Sequence, residues 1–318
     1  MTFLEFARSL GLIVNHCPAD SVWHRVKTET HPNKRNGAFK LFADGRLGFV
    51  QDHAHHQEPL RWEAGADVAL PKVYRAAIAR RQASDRASAA RSAREMAQYW
   101  ASCKPLRGGH PYLESHGLDM TGCSGLRVAS DGWLVAPAIN DGFLCSVQRI
   151  SPDGIKRFWP GCSMAGASYV IRSSNHYPAL TIACEGLATG LALFAACKSA
   201  LVVVAFDAGN MAKLQFPVRG LATVAADNDF ETAERLGRNP GIDAAKAISE
   251  RIGAGVAWPE GIAGTDWCDY RQEKRAEGMA SRGRFVSEAQ VYRAVDAVIE
   301  WEITRAAKFV ANLAAVAV

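Results

Sequence analysis

The chain lacks the sequence features that define several protein classes. Its eight cysteines are scattered and no two of them form a CxxC pair, which matches no zinc ribbon and disfavours a disulfide framework. No apolar run approaches the roughly 20 residues that cross a bilayer, and the first residues carry no signal-peptide pattern. We therefore expect a cytoplasmic protein without a membrane partner, and we do not expect zinc as a cofactor.

The sequence is organised around residues 182–229. Short apolar runs at 181–184, 201–206 and 222–226 are bounded by Gly, Asp or Asn, which is typical of buried strands. Strands that are buried on both faces are typical of a parallel sheet covered by helices. Hydrophobic residues make up 48% of the chain, enough for a sizeable core. The predicted fold class is α/β within an α+β chain, with a parallel sheet flanked by helices.

The remaining pattern predicts five parts along the chain. They are a small α+β module (1–66), a basic Ala/Arg-rich helix (67–104), a basic strand-rich subdomain (105–175), the sheet with its acidic residues (176–272) and C-terminal helices (273–318). Within the first part, Asp44-Gly45 separates two alternating, aromatic-containing segments and predicts a hairpin. A basic, aromatic hairpin suits contact with nucleic acid, but an ordinary solvated face explains the same pattern, and the sequence leaves both open.

The Ala/Arg-rich helix concentrates positive charge. Between Pro71 and Arg107 there are nine Lys or Arg and two Asp or Glu, whereas the net charge of the whole chain is +5. Arg80 and Arg81 are candidate contacts to a phosphate backbone. The alternative is a solvated linker helix, and apolar positions such as Trp100 predict that one face of the helix packs on the protein.

Basic residues also mark the strand-rich subdomain. Asn140-Asp141-Gly142 predicts a second hairpin, and Arg149, Lys156 and Arg157 fall on neighbouring strands or their turns beside aromatic residues. This combination suits phosphates and bases together, so these three residues are candidate nucleic-acid or nucleotide contacts. The alternative is an edge strand whose charges oppose aggregation.

Acidic residues follow the predicted strands. They are Glu185, Asp227, Asp229, Asp266 and Asp269. At the carboxyl ends of parallel strands these side chains would converge and raise one another's pKa, and a hard divalent cation would relieve the repulsion. Mg²⁺, or Mn²⁺, is the expected cofactor, and two ions about 4 Å apart can serve phosphoryl transfer. The alternative is that the acids cap helices and form turns, but acids at three strand ends favour the metal site.

The ordered set Glu185-Gly186, Asp227-Asn228-Asp229 and Asp266-x-x-Asp269 resembles the Toprim domain of bacterial-type primases, topoisomerases and related nucleases. Further segments are similar to plasmid- and phage-encoded Toprim DNA primases, and the resemblance covers roughly residues 105–272. These segments are His110-Pro111-Tyr112-Leu113, Gln148-Arg149-Ile150, Gly154-Ile155-Lys156-Arg157-Phe158, Glu185-Gly186-Leu187-Ala188-Thr189-Gly190, Phe206-Asp207-Ala208-Gly209-Asn210 and Asn239-Pro240-Gly241.

The resemblance implies a fold, a site and a reaction. It implies a Toprim metal-binding domain at 176–272, preceded by a primase subdomain at 105–175. In the site, Glu185 would be the motif glutamate near the reacting groups or a metal, Asp227 and Asp229 would be catalytic Mg²⁺ ligands, and Asp266 or Asp269 would add a third carboxylate. Arg149, Lys156 and Arg157 match the basic patch that handles template or nucleotide phosphates. The implied reaction is attack of a ribonucleotide 3′-hydroxyl on an incoming α-phosphate, with NTPs as substrates and single-stranded DNA as template, in plasmid, phage or mobile-element replication.

The chain departs from the family pattern in three ways. It lacks the zinc ribbon, it carries Thr189 where bacterial primases often have Asp, and it has no GxxxxGK[ST] motif. A separate replicative helicase is therefore a candidate partner. Two alternatives remain open, namely a Toprim nuclease that uses the same metals and a non-catalytic Toprim protein that binds single-stranded nucleic acid. A topoisomerase is disfavoured because the chain has no room for strand-passage domains.

Overall fold

A computed structural model of the chain describes residues 2–56, 58–64, 72–172, 177–214 and 218–316, without the side chains of 72–82, 313, 315 and 316. The helices are α1 Phe3–Ser9, α2 Lys72–Ser102, α3 Pro111–Ser115, α4 Leu187–Ala196, α5 Ala208–Met211, α6 Phe230–Leu236, α7 Pro240–Ile252, α8 Trp267–Ser281 and α9 Glu288–Val316. The strands are β1 Leu12–Ile13, β2 His24–Thr28, β3 Gly37–Leu41, β4 Leu47–Asp52, β5 Leu60–Glu63, β6 Lys104–Pro105, β7 Arg127–Val128, β8 Leu134–Asn140, β9 Phe143–Ile150, β10 Lys156–Phe158, β11 Tyr169–Arg172, β12 Leu180–Cys184, β13 Leu201–Val204, β14 Leu221–Ala225 and β15 Gly255–Ala257. Contacts divide the chain into two compact units, Met1–Ala90 and Arg91–Val318.

The first unit is an antiparallel sheet with one helix on it. Its strand order is β1-β2-β3-β4-β5, and the predicted hairpin at Asp44-Gly45 joins β3 to β4. Thr2 and Glu5 form a capping box that starts α1, because each side chain bonds to the backbone N–H of the other residue. Phe3 and Ala7 of α1 are buried against the same face of the sheet as Phe39. The helix therefore covers one face of this sheet.

The second unit contains two sheets in contact with each other. The first is antiparallel with the order β10-β9-β8-β7-β6, and its central pair is the predicted hairpin around Asp141-Gly142. One face packs Val135 and Val147 against the end of α2, where Met96 is buried. The opposite face, which includes Ile150, joins the core of the other sheet. The β6–β10 sheet is thus a middle layer of this unit.

The second sheet has the order β11-β13-β12-β14-β15. Strands β12, β13, β14 and β15 are parallel, as the sequence predicts, and only the pairing of β11 with β13 in this sheet is antiparallel. Cys184 at the end of β12 is in register with Ala225 at the end of β14. The fold class is therefore mixed α/β, with a parallel sheet flanked by helices and one antiparallel edge strand that the sequence pattern did not reveal.

The C-terminal helix α9 packs closely on the far edge of this sheet. Thr223 of β14 donates a hydrogen bond from Oγ1 to the carbonyl oxygen of Ile303, at 2.7 Å. A Cβ atom on Gly255 of β15 would lie 2.2 Å from the carbonyl oxygen of Ala306, so the glycine permits the contact. No helix in the described residues is long and apolar enough to cross a bilayer.

We predict that Gly255→Ala destabilises the second unit. The added methyl group meets backbone atoms of α9, which must shift, and overpacking of this kind costs about 1–3 kcal/mol. Thermal denaturation followed by circular dichroism measures the effect. Gly283→Ala is the matched control, because a Cβ atom there has no neighbour within 4 Å. Equal melting temperatures for the two variants would contradict the prediction.

Candidate functional site

Acidic residues meet where the parallel strands end. Glu185 follows β12, Asp207 follows β13 after two residues, and Asp227 and Asp229 follow β14. Because β12 lies between β13 and β14, the turns after all three strands share one edge of the sheet. Asp266 begins α8 after the loop that follows β15. The sequence-predicted acids therefore lie along the same edge of one sheet.

Asp227 is the most strongly perturbed carboxyl group of the site. Its Oδ1 atom is buried and has no hydrogen-bond partner. Burial raises the pKa of Asp227 to about 8, and the charges of Glu185, Asp266 and Asp229 contribute to the rise, while Lys156 opposes them. An unpaired buried oxygen among like charges is unfavourable for folding, and groups of this kind are found most often at functional sites.

Glu185 lies in the same electrostatic field. Burial raises the pKa of Glu185, and the charges of Asp207 and Asp229 add to the effect, while the Ala208 N–H and Lys156 lower it. The thiol of Cys184, at the end of β12, has a raised pKa because of burial and then because of Asp227, Asp266 and Glu185. These mutual effects are consistent with the carboxylates lying near the end of β12.

Asp266 and Asp269 have structural roles that the sequence allowed as an alternative. Asp266 caps α8, where its Oδ1 accepts hydrogen bonds from the N–H groups of Cys268 at 2.6 Å and Asp269 at 3.0 Å. Asp269 completes the capping box, and its Oδ2 also accepts from the N–H of Thr265 at 2.9 Å. Thr189 donates from Oγ1 to Oδ2 of Asp266 at 3.0 Å. A metal-binding role for Asp266 and Asp269 stays a prediction.

The site suits a hard divalent cation, although the described residues contain no preformed cage for one. No group of three His, Cys, Asp or Glu side chains in the described part of the chain is close enough to hold a metal ion. Mg²⁺ needs fewer protein ligands than that, because it keeps several waters and uses one or two carboxylates with substrate phosphates. The unpartnered Oδ1 of Asp227 and the raised pKa of Glu185 fit such a cation.

Lys156 is the predicted basic residue that lies with the acidic set. Its charge lowers the pKa of both Glu185 and Asp227. On the same face of β10, the ring of Phe158 lies 6.2 Å from the ring of Phe206, which directly precedes Asp207. Because alternate residues of a strand point to opposite faces, Lys156 and Phe158 face the acidic edge together. This brings a cation from the middle sheet to the carboxylates.

Arg149 and Arg157 lie on the other face of the β6–β10 sheet. They are directly opposite each other in register. Arg149 donates from Nε to the hydroxyl of Tyr99 at 2.9 Å and from Nη2 to Asp131 at 3.0 Å. The guanidinium carbons of Arg149 and Arg157 lie 4.7 Å and 5.9 Å from the ring centre of Trp133. The structure therefore separates these two arginines from Lys156. The side chains of Arg80 and Arg81 lie outside the described residues.

Sequence reasoning did not include Asp207 in the acidic set. This residue caps α5, where its Oδ1 accepts from the N–H of Asn210 at 2.7 Å, and its charge raises the pKa of Glu185. The signal was present in the sequence, because Asp207 directly follows the apolar run 201–206 that predicted a strand. Applying the same rule to all the predicted strands would have found it.

Comparisons with known proteins find a matching domain family and a similar curated protein. The model of the Toprim domain family matches residues 180–277. DNA primase TraC of Escherichia coli is 28% identical over 286 residues, which are 81% of this chain and 19% of TraC. The chain therefore spans about a fifth of the length of that curated relative.

Two solved structures from bacteriophage T7 are also similar. The primase fragment of the T7 primase-helicase protein has a TM-score of 0.39 and 13% identity, covering 81% of this chain and 98% of that one. A complex of the T7 lagging-strand DNA polymerase with primase domains of two gp4 subunits, bound to an RNA/DNA hybrid and dTTP, gives a TM-score of 0.38, 16% identity and coverage of 56% and 93%.

The chain thus contains a Toprim domain, which holds the acidic site. The chain is a primase-like protein, and its similarity to DNA primase TraC covers 81% of this chain.

We predict that Asp227→Asn stabilises the metal-free protein in a pH-dependent way. The folded-state pKa of Asp227 is raised to about 8, so the stability that this group contributes is present at low pH and is lost as the pH rises towards 8. The asparagine does not titrate. The gain in melting temperature of the variant, measured in EDTA, should be small near about pH 4 and largest near about pH 9. A gain that shrinks as the pH rises would contradict this expectation.

Proposed function

We propose that the chain is a DNA primase-type nucleotidyltransferase that makes short RNA primers on single-stranded DNA with Mg²⁺ or Mn²⁺. The observation that carries the proposal is the buried, unpartnered carboxylate oxygen of Asp227 within the acidic edge of a Toprim domain, with Lys156 beside it. The similarity to DNA primase TraC favours priming over the other activities of a Toprim site.

The residues divide the chemistry among them. Asp227 and Asp229 would hold the divalent cation together with waters and substrate phosphates, and Glu185 would lie close to the reacting groups or the cation. The bound cation would supply positive charge to the phosphates of the reaction. Lys156 would bind phosphate oxygens of the incoming nucleotide, because its charge already reaches Glu185 and Asp227. Glu185, whose pKa is raised by burial, is suited to accept the proton of the attacking 3′-hydroxyl.

The substrates, the template, the cellular location and a protein partner follow from this function. NTPs are the substrates and single-stranded DNA is the template, in the cytoplasm of a cell that carries a plasmid, phage or other mobile element. A separate replicative helicase is the proposed protein partner. Asp266 and Asp269 would assist by holding the start of α8 beside the cation, since both bond to the backbone there.

The decisive assay incubates the protein with single-stranded DNA, labelled NTPs and Mg²⁺. We expect short RNA products from the unaltered chain, and Asp227→Asn should reduce them at least about 100-fold, because it removes a charge that the cation needs. Mg²⁺ should raise the melting temperature of the unaltered protein more than that of Asp227→Asn. Degraded DNA without RNA products would show the nuclease alternative, and DNA binding without either product would show the non-catalytic one.

Lys156 and Arg157 provide a matched pair of variants on adjacent residues. Lys156→Gln should lower primer synthesis about 100-fold, because Lys156 faces the carboxylates. Arg157→Gln removes the same charge from the opposite face of β10, where its guanidinium lies 5.9 Å from the Trp133 ring, and should leave the turnover of bound substrate nearly unchanged. Equal losses of turnover in the two variants would contradict the proposed role of Lys156.

A further inference from the structure

The sheet of the first unit has one face that α1 does not cover. The covered face is identified by Phe39, Val50 and Trp62, which pack with Phe3 of α1. Because side chains alternate along a strand, the neighbours of these residues point to the opposite, outer face. Among the described strand residues, the charged side chains of the outer face are Arg25, Lys27, Lys40, Arg61 and Glu63. The outer face therefore carries four positively charged side chains and one negatively charged side chain.

These cations are arranged across neighbouring strands. Lys40 of β3 is opposite Phe49 of β4, and Phe49 is opposite Arg61 of β5, so the three side chains form one row. Arg25 lies on β2, opposite Ala38 of β3. Arg25 and Arg61 are exposed, although Arg61 pairs with Glu63 at the edge of the sheet. Arg25 and Ala38 therefore belong to the adjacent row, which continues to Gln51 of β4.

Two aromatic side chains lie on the same outer face as these charged residues. Phe42 and Phe49 are each partly exposed, and their ring centres are 6.1 Å apart in an edge-to-face arrangement. The Nζ atom of Lys40 lies 4.5 Å from the centre of the Phe42 ring. Neither phenylalanine belongs to the hydrophobic core under α1. These partly exposed rings lie outside that core, so their accessible surface is free to contact a planar partner.

We propose that this outer face binds single-stranded nucleic acid, with bases stacked on Phe49 and Phe42 and phosphates held by Arg25, Lys27, Lys40 and Arg61. Cations arranged around aromatic rings match the alternation of phosphate and base along a single strand, and stacking does not depend on sequence. A double helix would not expose its bases to the rings. That the bound strand is the template rests on the proposed function; the binding itself does not.

The charge part of the proposal is tested on the full chain in EDTA, with fluorescein-labelled oligo(dT) and oligo(U) followed by anisotropy. Arg25→Gln with Lys27→Gln should weaken binding about 10-fold and reduce the slope of log K against log salt by about 1.4, since each phosphate contact to a single strand contributes about 0.7. Lys34→Gln with Arg35→Gln is the matched control, because it removes the same charge from the exposed turn between β2 and β3. Equal slopes for the two double variants would overturn the proposal.

The stacking part needs a variant that keeps the charge. Phe49→Leu should weaken binding about 10-fold and leave the salt slope unchanged, because stacking on one base is lost. Phe285→Leu is its control, since Phe285 is 87% exposed and belongs to the second unit. Melting temperatures verify that both variants are folded. Equal affinities for Phe49→Leu and Phe285→Leu would overturn the role of the rings.

Two further arms separate this proposal from the catalytic one. Asp227→Asn should reduce primer synthesis at least about 100-fold and keep the affinity for the oligonucleotides. The double variant at Arg25 and Lys27 should lose affinity whether or not any primer is made. A preference for oligo(dT) over oligo(U) identifies DNA as the strand that is held, and the reverse preference identifies RNA. Absence of binding to both oligonucleotides would overturn the inference and leave an acidic protein partner as the occupant to test.

Discussion

The convergence of carboxylates at one edge of a parallel sheet is the constraint on which the rest of the structure depends. The register places the end of β12 beside the end of β14, so Glu185 and Asp227 lie at the same edge of the sheet. Burial then raises the pKa of both residues, and no hydrogen bond satisfies one oxygen of Asp227. Natural proteins keep such unfavourable groups where function needs them. The carboxylates at this edge therefore lower the local stability of the fold.

The β6–β10 sheet contributes the basic residue of this site, Lys156. Each face of this sheet packs against a different neighbour, α2 on one side and the parallel sheet on the other. Successive residues of β10 therefore serve different surroundings, Lys156 near the carboxylates and Arg157 near Trp133. A shift of one residue in the pairing of β10 would exchange them, which makes the register of a three-residue strand important for the chemistry.

Much of the fold and part of the site could be predicted from sequence, because both depend on local pattern. Apolar runs that end in Glu185 or Asp227 predict buried parallel strands with acids at one edge, and Asp44-Gly45 predicts its hairpin. The position of β11 could not be predicted, because an antiparallel edge strand has the same local pattern as any short strand. The separation of Lys156 from Arg149 depends on which face each layer covers, which no local spacing encodes. Capping by Asp266 depends on the turn before α8, which the sequence left open.

The middle residue of the Asp-Asn-Asp segment has a role different from that of its neighbours. Asn228 donates its backbone N–H to Thr265 at 2.7 Å and its side-chain amide to Pro259 at 2.8 Å, and its Oδ1 accepts from Asn239 at 2.9 Å. One residue thus ties the turn after β14 to the loop before α8 and to the start of α7. These three hydrogen bonds restrain the backbone between Asp227 and Asp229, so an uncharged amide fixes the separation of the two carboxylates.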